Sequence, residues 1–202
     1  MTDRADAPPA WAEPLFAFIE RVDRRRLGIR RIRRGGISGI AFTRHHGPDV
    51  VLRDGTVVRA GELVGNLHLD NSQLARRTTE GWQMRMLELG REDARALMRW
   101  VHRQPPADRP VAYFGATILW PIMRRLGAEV RERPQTRRVR REDWYLRGVL
   151  RRWAREGTAR LALGRGDLRT MDCWISASEM ERRYGGPTPA TADVATTTRE
   201  GS

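Results

Sequence analysis

His68, Asp70 and Asn71 form the one compact set of reactive side chains along this sequence. They close a buried-strand pattern of Leu63, Val64, Leu67 and Leu69 that opens at Gly61. In a strand, alternate side chains share a face, so His68 and Asp70 emerge together while Leu67 and Leu69 point the other way. Imidazole titrates near neutrality and suits general acid or base work. Asp70 could orient the ring, and the Asn71 amide could donate a hydrogen bond to a developing oxyanion. Tyr113 or Thr117 could complete a binding pocket. Each residue also has a plain structural explanation. A histidine at a strand end can bond a neighbouring loop, and asparagine is a common helix N-cap.

Little other side-chain chemistry is spelled out. His45 and His46 sit in a turn with Gly47 and Pro48, without acid or cysteine at metal-ligand spacing. Cys173 is the only cysteine, so it can make neither an internal disulfide nor a thiolate cluster, and it reads as an inert core thiol. Phosphate-loop, dinucleotide, HExxH, CxxC and GxSxG patterns are missing. No metal and no cofactor is therefore expected.

Charge is the louder signal. The 38 basic residues are all arginine, and the net charge of +13 attracts anions: acidic glycan, anionic lipid or nucleic acid. Residues 131–155 hold ten arginines against three acids, and 24–34 hold seven against none. Arg137, Arg138, Arg140 and Arg141 are the candidate binding residues, since guanidinium forks onto carboxylate or phosphate. The N-terminus has acids and prolines where a leader would be apolar, and no run of 18 apolar residues occurs. The expectation is a cytoplasmic protein, with a peripheral place on a membrane left open.

The elements that must position these groups follow from periodicity. Residues 1–10 read as a disordered N-terminus. Residues 11–36 read as a basic amphipathic helix and linker, with Trp11, Leu15, Phe18, Ile19 and Val22 on one face. Strands are expected at Ile37–Phe42, Val50–Leu52, Val57–Val58, Leu63–Leu69, Val111–Phe114, 128–133 and Met171–Ile175, with a tight turn at Asp54–Gly55. Asn71–Ser72 caps a helix from Gln73. Residues 82–89 lean to strand, and Gly90 separates them from a helix over 91–103. A further helix carries Glu142 and Asp143 in its first turn. Ser176 to Glu179 is a capping box for the last helix. Residues 187–202 read as a disordered tail. The sum is an α+β domain: a small mixed or antiparallel sheet with four to six helices packed on it and disordered termini.

The segments DGTVVRAGELVGNLHLDN (54–71), VAYFGATIL (111–119), RRLGAEV (124–130) and CWISASEMERRYG (173–185) occur in an order that resembles the YkoP-like domain family. The resemblance covers 37–186. It implies a bacterial domain, found alone or behind polysaccharide deacetylase domains, associated with cell-envelope polysaccharide or lipid metabolism. Membership implies no reaction. Three functions stay open: a non-catalytic accessory or binding domain for an anionic partner, an enzyme using His68 as general acid or base, and a nucleic-acid binder using arginine with Trp144, Tyr145 and Trp153.

Overall fold

Ser38–Arg44 and Leu63–Leu69 form the two longest strands, paired antiparallel from Ser38–Leu69 to Arg44–Leu63. The structure, a computed structural model, describes residues 22, 25–70, 82–154 and 169–186. The stripe from Trp11 to Ile19, the cap at Asn71–Ser72, the helix from Gln73 and both tails lie outside the described residues. So do the side chains of Trp82, Gln83, Arg138 and residues 147–154.

Eight strands are described. They are β1 (Arg30–Arg31), β2 (Ser38–Arg44), β3 (Val50–Val51), β4 (Val57–Val58), β5 (Leu63–Leu69), β6 (Ala112–Thr117), β7 (Glu129–Arg131) and β8 (Met171–Ser176). The main sheet runs β1-β2-β5-β6-β8-β7, and β3-β4 is a separate ribbon. Only β5 and β6 are parallel, so the sheet is mixed. A parallel pair needs a long crossover. Here helix α1 (Trp82–His102) lies within it. Three more helices are described: α2 (Trp120–Arg125), α3 (Arg137–Ala154) and α4 (Ala177–Tyr184).

One sheet face is sealed by α1 and α4. Ile40, Tyr113 and Ile175 from three neighbouring strands meet Leu97, Met98 and Val101 of α1 and Met180 of α4. Gly65 makes room for this packing: a Cβ there would lie 2.6 Å from the Tyr113 ring. A second cluster continues past the strand ends, where Ile37, Met86 and Leu87 meet Ile118, Leu119 and Ile122. The opposite face is covered at one end by the β3–β4 ribbon, whose Leu52 and Val58 pack on Val64, Ala112 and Trp174. Its tip is pinned by Asp54, which accepts hydrogen bonds from Ser176 Oγ (2.5 Å) and Ser178 Oγ (2.7 Å).

Several expectations need correction. Residues 82–89 are helical and continuous with 91–102. Gly90 does not break the helix. It lets Leu126 approach, since a Cβ there would sit 2.8 Å from Leu126 Cδ1. The apparent alternation of Trp82, Met84 and Met86 belongs to a helix whose Met84 is exposed and whose Met86, Leu87 and Leu89 are buried. Glu142 and Asp143 fall past the first turn of α3, because the helix begins at Arg137 and the Val139 amide donates to Thr136 Oγ1. The Asp54–Gly55 turn is a three-residue loop with Gly55 at φ 85°, closed by Gly55 N–H to Leu52 O and Leu52 N–H to Thr56 O. Only half of the capping box forms: Ser176 Oγ accepts from the Glu179 amide, while the Glu179 carboxylate turns to Arg182 and Arg183. Pro121 sits in the first turn of α2, where its missing N–H costs nothing, and Thr117 Oγ1 accepts from the Leu119 amide just before it.

Candidate functional site

The registers place a row of side chains across the half of the second face that the ribbon leaves uncovered. Arg31 of β1 lies beside Gly39 of β2, and Gly39 beside His68 of β5. Asn66 pairs with Phe114, so two residues further along His68 is level with Ala116 of β6. Ala116 then pairs with Asp172 of β8, and Asp172 with Arg131 of β7. Small residues therefore flank the imidazole on both sides. Ala116 is exposed although β6 is a central strand, so the sheet has an open floor there.

That floor belongs to a hollow of about 1180 Å³. His68, Asp70 and Thr117 all line it, with Asn66, Arg31 and Arg133. His68 is half-buried, with its Nε2 shielded from solvent. Asp70 is 4% exposed, and its carboxylate accepts from Arg31 at 2.8 Å. Its backbone N–H donates to Ile37 O at 2.7 Å, which holds the end of β5 to the start of β2. The Thr117 hydroxyl already accepts the Leu119 amide, so it is partly committed to the turn. Asn71 lies outside the described residues.

Tyr113 does not join this group. Its ring is fully buried on the α1 side of the sheet and does not line the hollow. Burial, reinforced by the nearby Glu181 charge, pushes its phenol well above the ordinary tyrosine range. Cys173 is 2% exposed, and burial, with the neighbouring Asp172 charge adding, pushes its thiol up to about 12. Such a thiol is protonated and inert at neutral pH.

Helix α3 closes the hollow from the other side. Arg133, just ahead of it, donates to Glu142 at 2.6 Å and pairs with Asp172 at 3.0 Å. Burial raises the Asp172 carboxyl above its ordinary value, Arg133 pulls it back, and Glu142 pushes it up again. Further along α3, Arg137, Arg140 and Arg141 are exposed, and no ion pair joins them to an acid among the described residues. Trp144 follows at 43% exposure. Spacings of three, four and seven residues put these four on one helix face. Arg141 and Trp144 also line the hollow.

Sequence reasoning missed the roles of Arg31, Arg33, Arg133 and Asp172. The run 24–34, read as part of a helix and linker, includes the edge strand β1 and three ion pairs, Arg31 with Asp70 and Arg33 with Glu92 and Asp93. Among the described residues there is no cluster of three or more His, Cys, Asp or Glu suited to a metal ion. None of their helices is long and apolar enough to cross a membrane.

Comparison with curated proteins gave no match, and comparison with solved structures gave none either. The family model of the YkoP domain matches residues 10–184, a span that takes in β1 and every described element after it. The chain belongs to the YkoP domain family.

Proposed function

We propose that the chain is a non-catalytic accessory or binding domain, linked to cell-envelope polysaccharide or lipid metabolism, that holds an anionic partner on the outer face of α3. A peripheral position at the cytoplasmic side of the membrane is part of this reading. The observation that carries it is the contrast along one stretch of chain. Arg133 is paired with two acids, whereas Arg137, Arg140 and Arg141 stand exposed beside an exposed tryptophan. Arginine with an interfacial aromatic suits an anionic surface.

The test is sedimentation of the full chain with phosphatidylglycerol vesicles, with phosphatidylcholine vesicles, polygalacturonate and duplex DNA as the other arms. Retention on phosphatidylglycerol vesicles or polygalacturonate, weakened by salt, and lost in the double variant Arg137→Glu/Arg140→Glu, supports the reading. Equal retention on phosphatidylcholine, or an unaffected double variant, overturns it. Selective retention on DNA would favour a nucleic-acid binder instead.

A second reading, an enzyme using His68 as general acid or base, is favoured by one observation: the imidazole faces a hollow over an exposed alanine floor. It requires turnover of an ester, phosphoester or glycoside probe that His68→Gln abolishes while vesicle retention is unchanged.

A further inference from the structure

We propose that the hollow between the sheet and α3 is a binding site for one single-chain anionic amphiphile, an acyl or prenyl chain that ends in a phosphate or carboxylate. The inference rests on the reading that the partner is anionic, and it adds an internal site to the external surface.

Size is the first argument. Protein interiors are packed to crystal-like density with few voids larger than a water. A volume of about 1180 Å³ is that of a large small-molecule site, where about 300–1,000 Å³ is usual.

The second argument is how the lining is divided. Past the strand ends the walls are mainly aliphatic, Ile37, Met86, Ile118, Ile122, Leu126 and Leu146, and the one acid there, Asp93, is committed to the Ile37 and Ser38 amides and to Arg33. On the second sheet face and beneath α3 they are polar: Arg31, Asn66, His68, Arg133, Arg141 and Glu142. A sugar or nucleotide would leave its hydroxyls unpaired against the aliphatic part. A plain hydrocarbon would leave the polar part dry and unmatched. A chain with one charged end satisfies both.

The third argument is the rim. Arg26, Leu27, Arg141 and Trp144 line the hollow and are all exposed. Leu27 is 49% exposed, and two apolar side chains at an opening are what a lipid tail would cross first. Arg26 and Arg141 have no ion-pair partner among the described residues. Asp70 is neutralised by Arg31, and Arg133 is shared by Glu142 and Asp172, which leaves one negative charge against the two of Arg26 and Arg141. The charge left for a ligand is therefore positive.

The experiment is calorimetric titration of the full chain with dodecyl phosphate and with dodecanoate, each below its micelle concentration. Inorganic phosphate and dodecyl maltoside are the controls. One equivalent of at least one anionic amphiphile should bind, about tenfold or more tighter than either control. The phosphate and carboxylate arms identify the headgroup. Leu126→Trp, which fills the aliphatic end, and Arg141→Glu, which reverses the rim charge, should each weaken binding about tenfold or more. Because Arg141 is exposed, its variant tests the site even where Leu126→Trp disturbs folding. Inorganic phosphate binding as tightly as dodecyl phosphate, equal binding of the maltoside, or no binding overturns the proposal. Failure here is separable from failure of the surface reading. Arg137→Glu/Arg140→Glu should lose vesicle retention yet keep dodecyl phosphate, because neither residue lines the hollow.

Discussion

Asp93 shows how much one side chain can carry. It is 1% exposed, and its carboxylate accepts from the amides of Ile37 and Ser38, both at 2.9 Å, and pairs with Arg33 Nε at 2.7 Å. The entry of the chain into β2 is thus fixed to α1. Gly36 is required beside it, since a Cβ there would lie 2.3 Å from Asp93 Oδ1. Asp93→Ala would orphan the buried Ile37 amide and the half-buried Ser38 amide and leave Arg33 with Glu92 alone, at a cost of about 3 kcal/mol, measurable by urea unfolding. Asp54 works at the surface. Hydrogen bonds from Ser176 and Ser178 hold its carboxyl below the ordinary value of 3.8. A depressed folded value means the contribution is whole above pH 3.8 and is lost as the pH falls through the folded value. Asp54→Asn should therefore cost about 1 kcal/mol at pH 7, a figure already reduced for solvent screening. The gap from wild type should narrow on acidification below pH 3.8, read from thermal melts. Neither pairing was legible in the sequence. Asp93 lies 56 positions from Ile37 and Asp54 lies 122 from Ser176. No local pattern announces a partner at such a distance. The His68–Asp70 side of the strand was legible, because period two decides it from the backbone alone.

Among elements, the strands were easier to read than the helices. Leu63–Leu69 is the expected span, and the glycine turns at 55 and 61 sit at φ 85° and 87° as turn chemistry demands. Helix α1 was harder, because a central glycine resembles a break until its neighbour is known. Two of the glycines that face tertiary neighbours, Gly115 and Gly90, should respond differently to alanine. At Gly115 a Cβ would meet the Leu67 carbonyl oxygen at 2.7 Å, and backbone cannot swing aside. Gly115→Ala should cost about 2 kcal/mol by prising β6 from β5. At Gly90 the obstacle is the end of the flexible Leu126 side chain, and alanine gains about 1 kcal/mol of helix propensity. Gly90→Ala should stay within about 1 kcal/mol of wild type. Chemical denaturation of the pair separates a backbone clash from a side-chain one.

For the whole molecule, composition indicated an anion-seeking surface but not which arginines compose it. Arg31, Arg33 and Arg133 are held by acids, and among the described residues Arg137, Arg140 and Arg141 are not. Counting charge treats these alike. Salt should distinguish them: vesicle retention through exposed arginines should fall several-fold between about 0.05 and 0.5 M salt as the screening length shrinks. The Arg33–Asp93 pair, with its carboxylate buried, is screened far less, so the melting temperature should change little over the same range.

The ends of the main sheet have a further consequence. β1 is two residues long and β7 three, and Arg30, Arg31 and Arg131 occupy them. Arg131 also bonds the Val51 carbonyl, which ties the outer strand back to the ribbon. A second copy approaching either margin finds too short a row of amides to stack on, and at the β1 margin the exposed Arg30 of each copy repels the other. Strongly concentrated samples should therefore scatter light as dispersed particles, with no growth of cross-β fibrils.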